Sequence, residues 1–220
     1  AARVVLVGRR GSLFEQVKRL SEPKPSAPPL RHVLASTSPQ IARPRPALEF
    51  FNGLGGFADD GREYITTLDA GQWTPAPWIN VVCNPTFGFQ TSAEGSGYTW
   101  SLNSQQNQIT QWSNDPVSDA PGEVIYLRDE DNGDIWGPTA LPIREDDSSY
   151  IVRHGQGYSR FEHVSHGVSL ELVQYVPVDD PIKISRLKIT NQSARSRRLS
   201  VTAYVEWTLG SSRSGSAPFV

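Results

Sequence analysis

The sequence has one cysteine, Cys83, and no methionine. A single thiol cannot close an internal disulfide, so the fold owes nothing to a cross-link and tolerates a reducing compartment. Cys83 is expected to be a small packed thiol. Neither sign of charge is in excess: 21 Lys and Arg against 23 Asp and Glu give a net charge of −2. That balance leaves no basic footprint for nucleic acid or for an anionic membrane surface. No stretch approaches the roughly 18 to 20 consecutive apolar residues that span a bilayer, and the N-terminus lacks the apolar region of a secretory signal, so direct membrane insertion is not expected. There is no internal repeat. The chain opens at Ala1 and stops just after Gly215, Ser216, Ala217 and Pro218, and it reads as a segment of a longer polypeptide.

What is present is punctuation and aromatic rings: 18 glycines, 17 prolines and 6 tryptophans in 220 residues. Many turns with aromatic runs between them accompany short antiparallel strands. The expected fold class is therefore all-β, a sandwich or barrel, with a short helix near the N-terminus. Three segments are expected. Residues 1–20 look like the tail of a preceding module, with a strand over 3–8 and a helix whose capping box is Ser12 with Glu15 and whose apolar face is Leu13, Phe14, Val17 and Leu20. Residues 21–47 carry Pro23, Pro25, Pro28, Pro29, Pro39, Pro44 and Pro46 and read as an extended linker. Residues 48–220 form the β domain. Period-two alternation is clearest over 167–176 and 199–207, with another strand near 182–189; a slip at Arg186 suggests a bulge, Asn191 to Ala194 a turn, and the three together a meander. Further strands are expected over 62–68, 79–82, 87–91, 97–101, 123–128, 150–154 and 158–163. Asn132-Gly133 suggests a type I′ hairpin turn.

Several motifs imitate known chemistry. NGLGG, residues 52–56, lacks the Lys-Ser/Thr of a phosphate loop and is read as a sharp turn. Asp129 to Asp134 has the density of a calcium loop but the wrong glycine position, and is read as the hairpin. His154, His163 and His166 lack metal-site spacing and any evident carboxylate partner. Asp115, Asp119 and Glu123 are near in sequence, yet a glycosidase acid and base need two carboxyl groups about 5 to 10 Å apart across a sugar, which a Pro-broken loop does not supply. Two stretches stay open between structural and binding roles. YTWSLNSQQNQITQWSNDPVSD, residues 98–119, sets Trp100 and Trp112 among Asn103, Asn114 and Asp115: ring faces beside amides and carboxylates, which suit a pyranose, unless the indoles simply cap a core. RHGQGYSRF, residues 153–161, gathers Arg153, His154, Tyr158 and Arg160, whose forks suit carboxylates, phosphate or vicinal hydroxyls, unless they form surface salt bridges on a β-bend.

FFNGLGGFADDGREYITTL, TPAPWINVVCNPTFGF, GYTWSLNSQQNQITQWSNDPVSD, YLRDEDNG and YIVRHGQGYSRF, in that order, resemble the N-terminal β-sandwich of the glycoside hydrolase family 94 phosphorylases. The likeness extends to the C-terminal region of the bacterial cyclic β-1,2-glucan synthases and covers roughly Leu48 to Val220. It implies a large twisted antiparallel sandwich, a supersandwich, preceding an (α/α)6 barrel that carries the catalytic acid. In such enzymes that acid protonates the glycosidic oxygen while phosphate attacks and inverts the anomeric centre. The resemblance thus implies a non-catalytic domain, inactive in isolation, with no cofactor or metal. Its implied partners are a β-glucan oligosaccharide, the barrel of the same polypeptide and a second copy in a homodimer. The implied location is the cytoplasmic side of the bacterial inner membrane, within a larger membrane-associated protein. Carried over residue by residue, Trp100, Asn103, Trp112, Asn114, Asp115, Arg153, His154, Tyr158 and Arg160 are expected to cluster at one end of the sandwich, facing sugar or barrel. Gln111 stands where the pattern leads one to expect proline, which implies a less rigid loop. An autonomous carbohydrate-binding module and a structural or dimerisation domain are the alternative readings.

Overall fold

A computed structural model describes residues 8–21, 46–216 and 218. The chain divides into two compact units, Ala1–Ala35 and Ser36–Val220. In the first, a 3-10 turn at Gly8–Arg10 leads into helix α1, Leu13–Ser21. The capping box forms as expected: the Ser12 amide donates to Glu15 Oε2 at 2.8 Å, and Ser12 Oγ accepts from the Glu15 amide at 3.3 Å. Leu13, Phe14 and Val17 on the apolar face are exposed. The strand expected over 3–8 and nearly all of the Pro-rich segment lie outside the described residues, apart from Gly8, which belongs to the 3-10 turn.

Among its described residues the second unit is all-β apart from the short helix α2, Arg213–Ser216. Its strands are β1 Gly55–Ala58, β2 Glu63–Leu68, β3 Ile79–Cys83, β4 Phe87–Ser92, β5 Gly97–Ser101, β6 Gln108–Thr110 and β7 Glu123–Asp129. They continue with β8 Ile135–Trp136, β9 Tyr150–Gly155, β10 Tyr158–Ser165, β11 Val168–Tyr175, β12 Ile184–Asn191, β13 Leu199–Val205 and β14 Trp207–Gly210. Three antiparallel sheets result: β1-β2-β9-β10-β11-β12, β14-β6-β5-β4-β3, and β13-β7-β8. All seven less regular strands expected from the sequence are present; β1, β6, β8 and β14, of two to four residues, are too short to show a period.

Alternation dictates how the sheets pack. Val152, Phe161 and Leu172 point from the six-stranded sheet to Ala93 and Trp78, and Val168 and Leu170 point to Leu127 and Trp136 of the three-stranded sheet. The core is sewn across the layers by Asn80 of β3, whose Nδ2 donates to Gly155 O at 3.1 Å, Tyr158 O at 2.9 Å and Ser159 Oγ at 3.1 Å.

Four expectations are corrected. The last three long strands are not one meander: β11 pairs with β12, but β13 leaves for β7, with Val201 opposite Leu127. The reason lies in the connecting arginines. Arg197 donates to buried Asp129 at 2.6 Å and Arg198 pairs with Asp131 at 2.9 Å, which tie the chain to the end of β7 before β13 begins. The alternating run 199–207 also breaks at Glu206, which bonds through its backbone to Gly122 and Gln111, so Trp207 starts β14 in a different sheet. Second, β11 and β12 pair in unbroken register, with no bulge at Arg186. Third, Asn132-Gly133 lies in a five-residue hairpin loop in which Gly133 has φ 83° and Asn132 does not have the positive φ of a type I′ turn. Fourth, Cys83 is exposed, because it falls on the face of β3 turned away from the core.

Candidate functional site

In β4, Phe89 points inward and is fully buried, so Gly88, Gln90 and Ser92 point away from the core. Register puts Trp100 opposite Gly88 and Tyr98 opposite Gln90, on that same outer face. Gly88 makes room for the indole: a Cβ there would stand 2.5 Å from Trp100 Cζ2 and 2.7 Å from Cys83 Cβ. Tyr98 is buried between the two indoles, tilted against Trp100 and stacked on Trp112 at 5.3 Å and 12°. Burial pushes the Tyr98 hydroxyl pKa up. Trp112 keeps its other face toward solvent, at 44% exposure. We expect Gly88→Ala to lift Trp100 from the sheet at a cost of about 1 to 3 kcal/mol, seen as a lower melting temperature and a red-shifted indole emission; unchanged values would refute the close packing.

Trp112 forms one wall of a groove of about 320 Å³ whose rim includes Ala76, Ile79, Gln90, Asn114, Asp115 and Asp119. The loop beyond Trp112 is held by its own side chains. Asp115 Oδ1 accepts from the amides of Val117 and Ser118, and Oδ2 accepts from Ser118 Oγ at 2.6 Å; the hydroxyl first, then the amides, hold its carboxyl below the usual range. Asn114 and Asp119 adopt left-handed backbone, φ 48° and 42°. Ser92 Oγ donates to Asp119 Oδ2 at 2.5 Å, which fixes the far end of the loop to β4. Gln111 is not a loose substitute for proline. Its N–H donates to Glu206 O at 3.1 Å, a bond proline could not make, and its Oε1 accepts from Arg213 at 2.9 Å. Asn103 lies apart from the groove, where its Oδ1 accepts from the amides of Gln105 and Gln106 in the tip between β5 and β6.

The RHGQGYSRF residues occupy the β9–β10 hairpin of the other large sheet. Arg153 alternates with core-facing Val152 and therefore points away from the core, where it donates to Glu162 at 2.8 Å and Glu63 at 3.0 Å. Tyr158 donates to the other Glu63 oxygen, with its ring over Gly155, where a Cβ would stand 2.4 Å from Tyr158 Cζ. Burial raises the Glu63 pKa, but the Tyr158 hydroxyl and Arg153 outweigh it and the net direction is down. The Arg160 guanidinium stands 5.9 Å from the Tyr158 ring centroid, and its Nε is buried with no hydrogen-bond partner among the described residues. His154 points the other way, into the core: Nε2 donates to Trp78 O at 3.2 Å, and Nδ1 is 3.0 Å from Ser159 Oγ. Burial holds its pKa down at about 4.

The nine expected residues are thus not one cluster. Trp100, Trp112, Asn114 and Asp115 share the outer face of the five-stranded sheet. Arg153, Tyr158 and Arg160 share the outer face of the six-stranded sheet, with the fork of Arg153 already filled by the protein's own carboxylates. His154 is between layers and Asn103 is a turn former. Sequence reasoning missed Tyr98 and Gln90, and weighed Asp119 only as a glycosidase carboxylate. Tyr98 was within reach, since it precedes Trp100 by two residues in a strand; the register that brings Gln90 alongside was not. Histidine also held a surprise: Glu145 stands between His163 Nε2 at 2.8 Å and His166 Nε2 at 2.5 Å, a carboxylate partner hidden by separations of 18 and 21 residues. Glu123, in turn, is spent on Lys183 at 2.6 Å and on the hydroxyls of Thr99 and Thr110.

The family model for the glycosyl hydrolase 94 supersandwich domain matches residues 62–220, the whole of the sheet framework from β2 onward. The chain belongs to this family. Among curated relatives, it is 41% identical over 232 residues to the cyclic β-(1,2)-glucan synthase NdvB of Rhizobium meliloti (strain 1021), an alignment covering 100% of this chain and 8% of the synthase. It is 33% identical over 156 residues to an N,N′-diacetylchitobiose phosphorylase of Vibrio furnissii, covering 70% of this chain and 19% of the relative. It is 28% identical over 159 residues to a solabiose phosphorylase of Paenibacillus borealis, covering 71% and 20%. The chain therefore spans less than a tenth of the synthase and about a fifth of these phosphorylases. As a glycosyl hydrolase 94 supersandwich, it has the three antiparallel sheets described above, with the exposed indole of Trp112 on one outer face.

Proposed function

We propose that the chain is the non-catalytic β-sandwich of a glucan-processing enzyme, which contributes to carbohydrate binding and packs against a helical catalytic barrel elsewhere in the polypeptide. One observation carries the sugar-binding part: the open indole face of Trp112, backed by buried Tyr98 and bordered by the amides of Gln90 and Asn114. An apolar ring face with hydrogen-bonding groups at its rim matches a pyranose, whose C–H face is apolar and whose hydroxyls lie at its edge. The name of the synthase supports β-glucan oligosaccharide as the class of ligand. No turnover is assigned to this chain, because Asp115 is consumed by its own turn and Glu123 by Lys183.

Packing against further structure is supported by the unpaired edge strands β12 and β13. Register points Ile189 and Val201 toward the core side, yet they are 38% and 50% exposed. A homodimer contact, which rests on the likeness to the phosphorylases, and a place on the cytoplasmic side of the bacterial inner membrane within a membrane-associated protein, which rests on the likeness to the synthase, complete the proposal. An autonomous carbohydrate-binding module is the second reading, favoured by a groove built wholly from residues between Ala76 and Asp119.

Trp112→Ala in the complete polypeptide is expected to weaken glycan processing roughly three- to tenfold, the worth of one aromatic stack, while the chain stays folded, its melting temperature lowered only by the lost stack on Tyr98. Unchanged kinetics would remove Trp112 from the site. An autonomous module binds glucan equally well alone and in the complete polypeptide, whereas a contributing wall binds more weakly alone.

A further inference from the structure

Resting on that reading, we infer that the Trp112 groove takes a neutral glycosyl unit and discriminates against sugar acids. Among the described residues, the groove lining includes two carboxylates, Asp115 and Asp119, and no lysine, arginine or histidine. Asp115 is held ionised by its bonds from Ser118 and Val117. Asp119 offers one oxygen to Ser92, and its other oxygen, Oδ1, accepts no hydrogen bond from the described residues. A smaller groove of about 150 Å³ shares Ala76, Pro77, Pro116 and Asp119 with the first and adds Glu94, whose charge is met by Arg144 at 3.8 Å.

The hydroxyl edge of a neutral sugar suits this rim. Its O–H groups can donate to the open Asp119 oxygen, and the side-chain amides of Gln90 and Asn114 have no hydrogen bond among the described residues, so they can donate and accept in turn. A uronate or aldonate laid on Trp112 would bring a third negative charge beside Asp115 and Asp119, with no guanidinium or ammonium among the described lining residues to receive it. At separations of several ångströms in a solvent-exposed groove, each carboxylate weakens such a ligand roughly three- to fourfold, together about tenfold. The selection is electrostatic and therefore screened by salt.

The test is a titration of the chain, labelled for indole N–H signals, with a neutral β-linked gluco-oligosaccharide and with the same oligosaccharide carrying one glucuronate. Trp112→Ala assigns the Trp112 signal. The neutral ligand should move that signal, and the acid should bind about tenfold more weakly at low salt, with the gap closing in about 0.5 M salt. Asp119→Asn, which keeps an oxygen for Ser92 Oγ, should narrow the gap to about threefold. Equal affinities for the two ligands at low salt, or a gap indifferent to salt, overturn the inference and leave the carbohydrate reading standing. A Trp112 signal moved by neither ligand at tens of millimolar overturns the carbohydrate reading itself.

Discussion

Replacing Arg197 by alanine should destabilise the sandwich by about 3 to 5 kcal/mol, because it strands a buried carboxylate. Asp129 is fully inaccessible and Arg197 nearly so, with Nη2 and Nε donating to the same Asp129 oxygen at 2.6 and 3.1 Å and Nη1 to His166 O at 2.6 Å. Arg195 reaches that oxygen only at 3.5 Å and is 55% exposed, so it cannot take over. Burial alone would raise the Asp129 pKa; the Asp131 amide and Arg197 reverse that, so the carboxylate stays charged in the fold. The melting temperature should drop by roughly 6 to 20 °C, with Arg197→Lys intermediate because it keeps the charge and loses the fork. A loss below 1 kcal/mol for Arg197→Ala would show that the pair merely breaks even. The same pair anchors the turn that sends β13 to β7, so local unfolding of β13 should accompany the loss.

Acidification is expected to remove about 3 kcal/mol at His154, the worth of the gap between its ordinary value of 6.5 and about 4 in the fold. The unfolded chain takes up this proton below 6.5 and the folded chain only near 4, so stability falls as pH drops through that window. His166 acts in the opposite sense. Its bond to Glu145 raises its pKa, so its contribution is complete below 6.5 and is lost as pH rises through the raised value. Glu145 is held well below the carboxylate range: the burial that raises its pKa is outweighed by its bonds from His163 and His166, so its contribution is complete above 4.5 and is lost progressively as pH falls from there toward its lowered value. Stability should therefore peak near neutrality. His154→Gln, which can still donate to Trp78 O, should flatten the limb between 6.5 and 4. An unaltered limb in that variant would place the acid sensitivity elsewhere.

The long strands were legible because each carries an alternating apolar face; Val168, Leu170 and Leu172 announce which side of β11 is buried. The sheet to which a strand belongs was not, since β12 and β13 have similar alternation and only the arginines between them, acting on carboxylates some seventy residues earlier, decide that they part. The same limit applies to the site. Trp100 and Trp112 stand out by residue type, but their grouping with Gln90 and Asp119 depends on register and on one serine hydroxyl. Arg153 and Tyr158 looked equally suited to sugar, and what removes them is Glu63, ninety residues upstream of Arg153.

The two edge strands β12 and β13 differ in fringe. Along β12 the solvent side presents Arg186 and Lys188, cations that repel a like-charged neighbour strand and discourage uncontrolled lengthening of that sheet. The corresponding side of β13 presents Ser200, Thr202 and Tyr204, with no charge at all. Any strand arriving from outside, whether a native continuation or a misfolded copy, thus meets a guarded rim on one sheet and an unguarded one on the other, so unwanted fibre growth would start at β13.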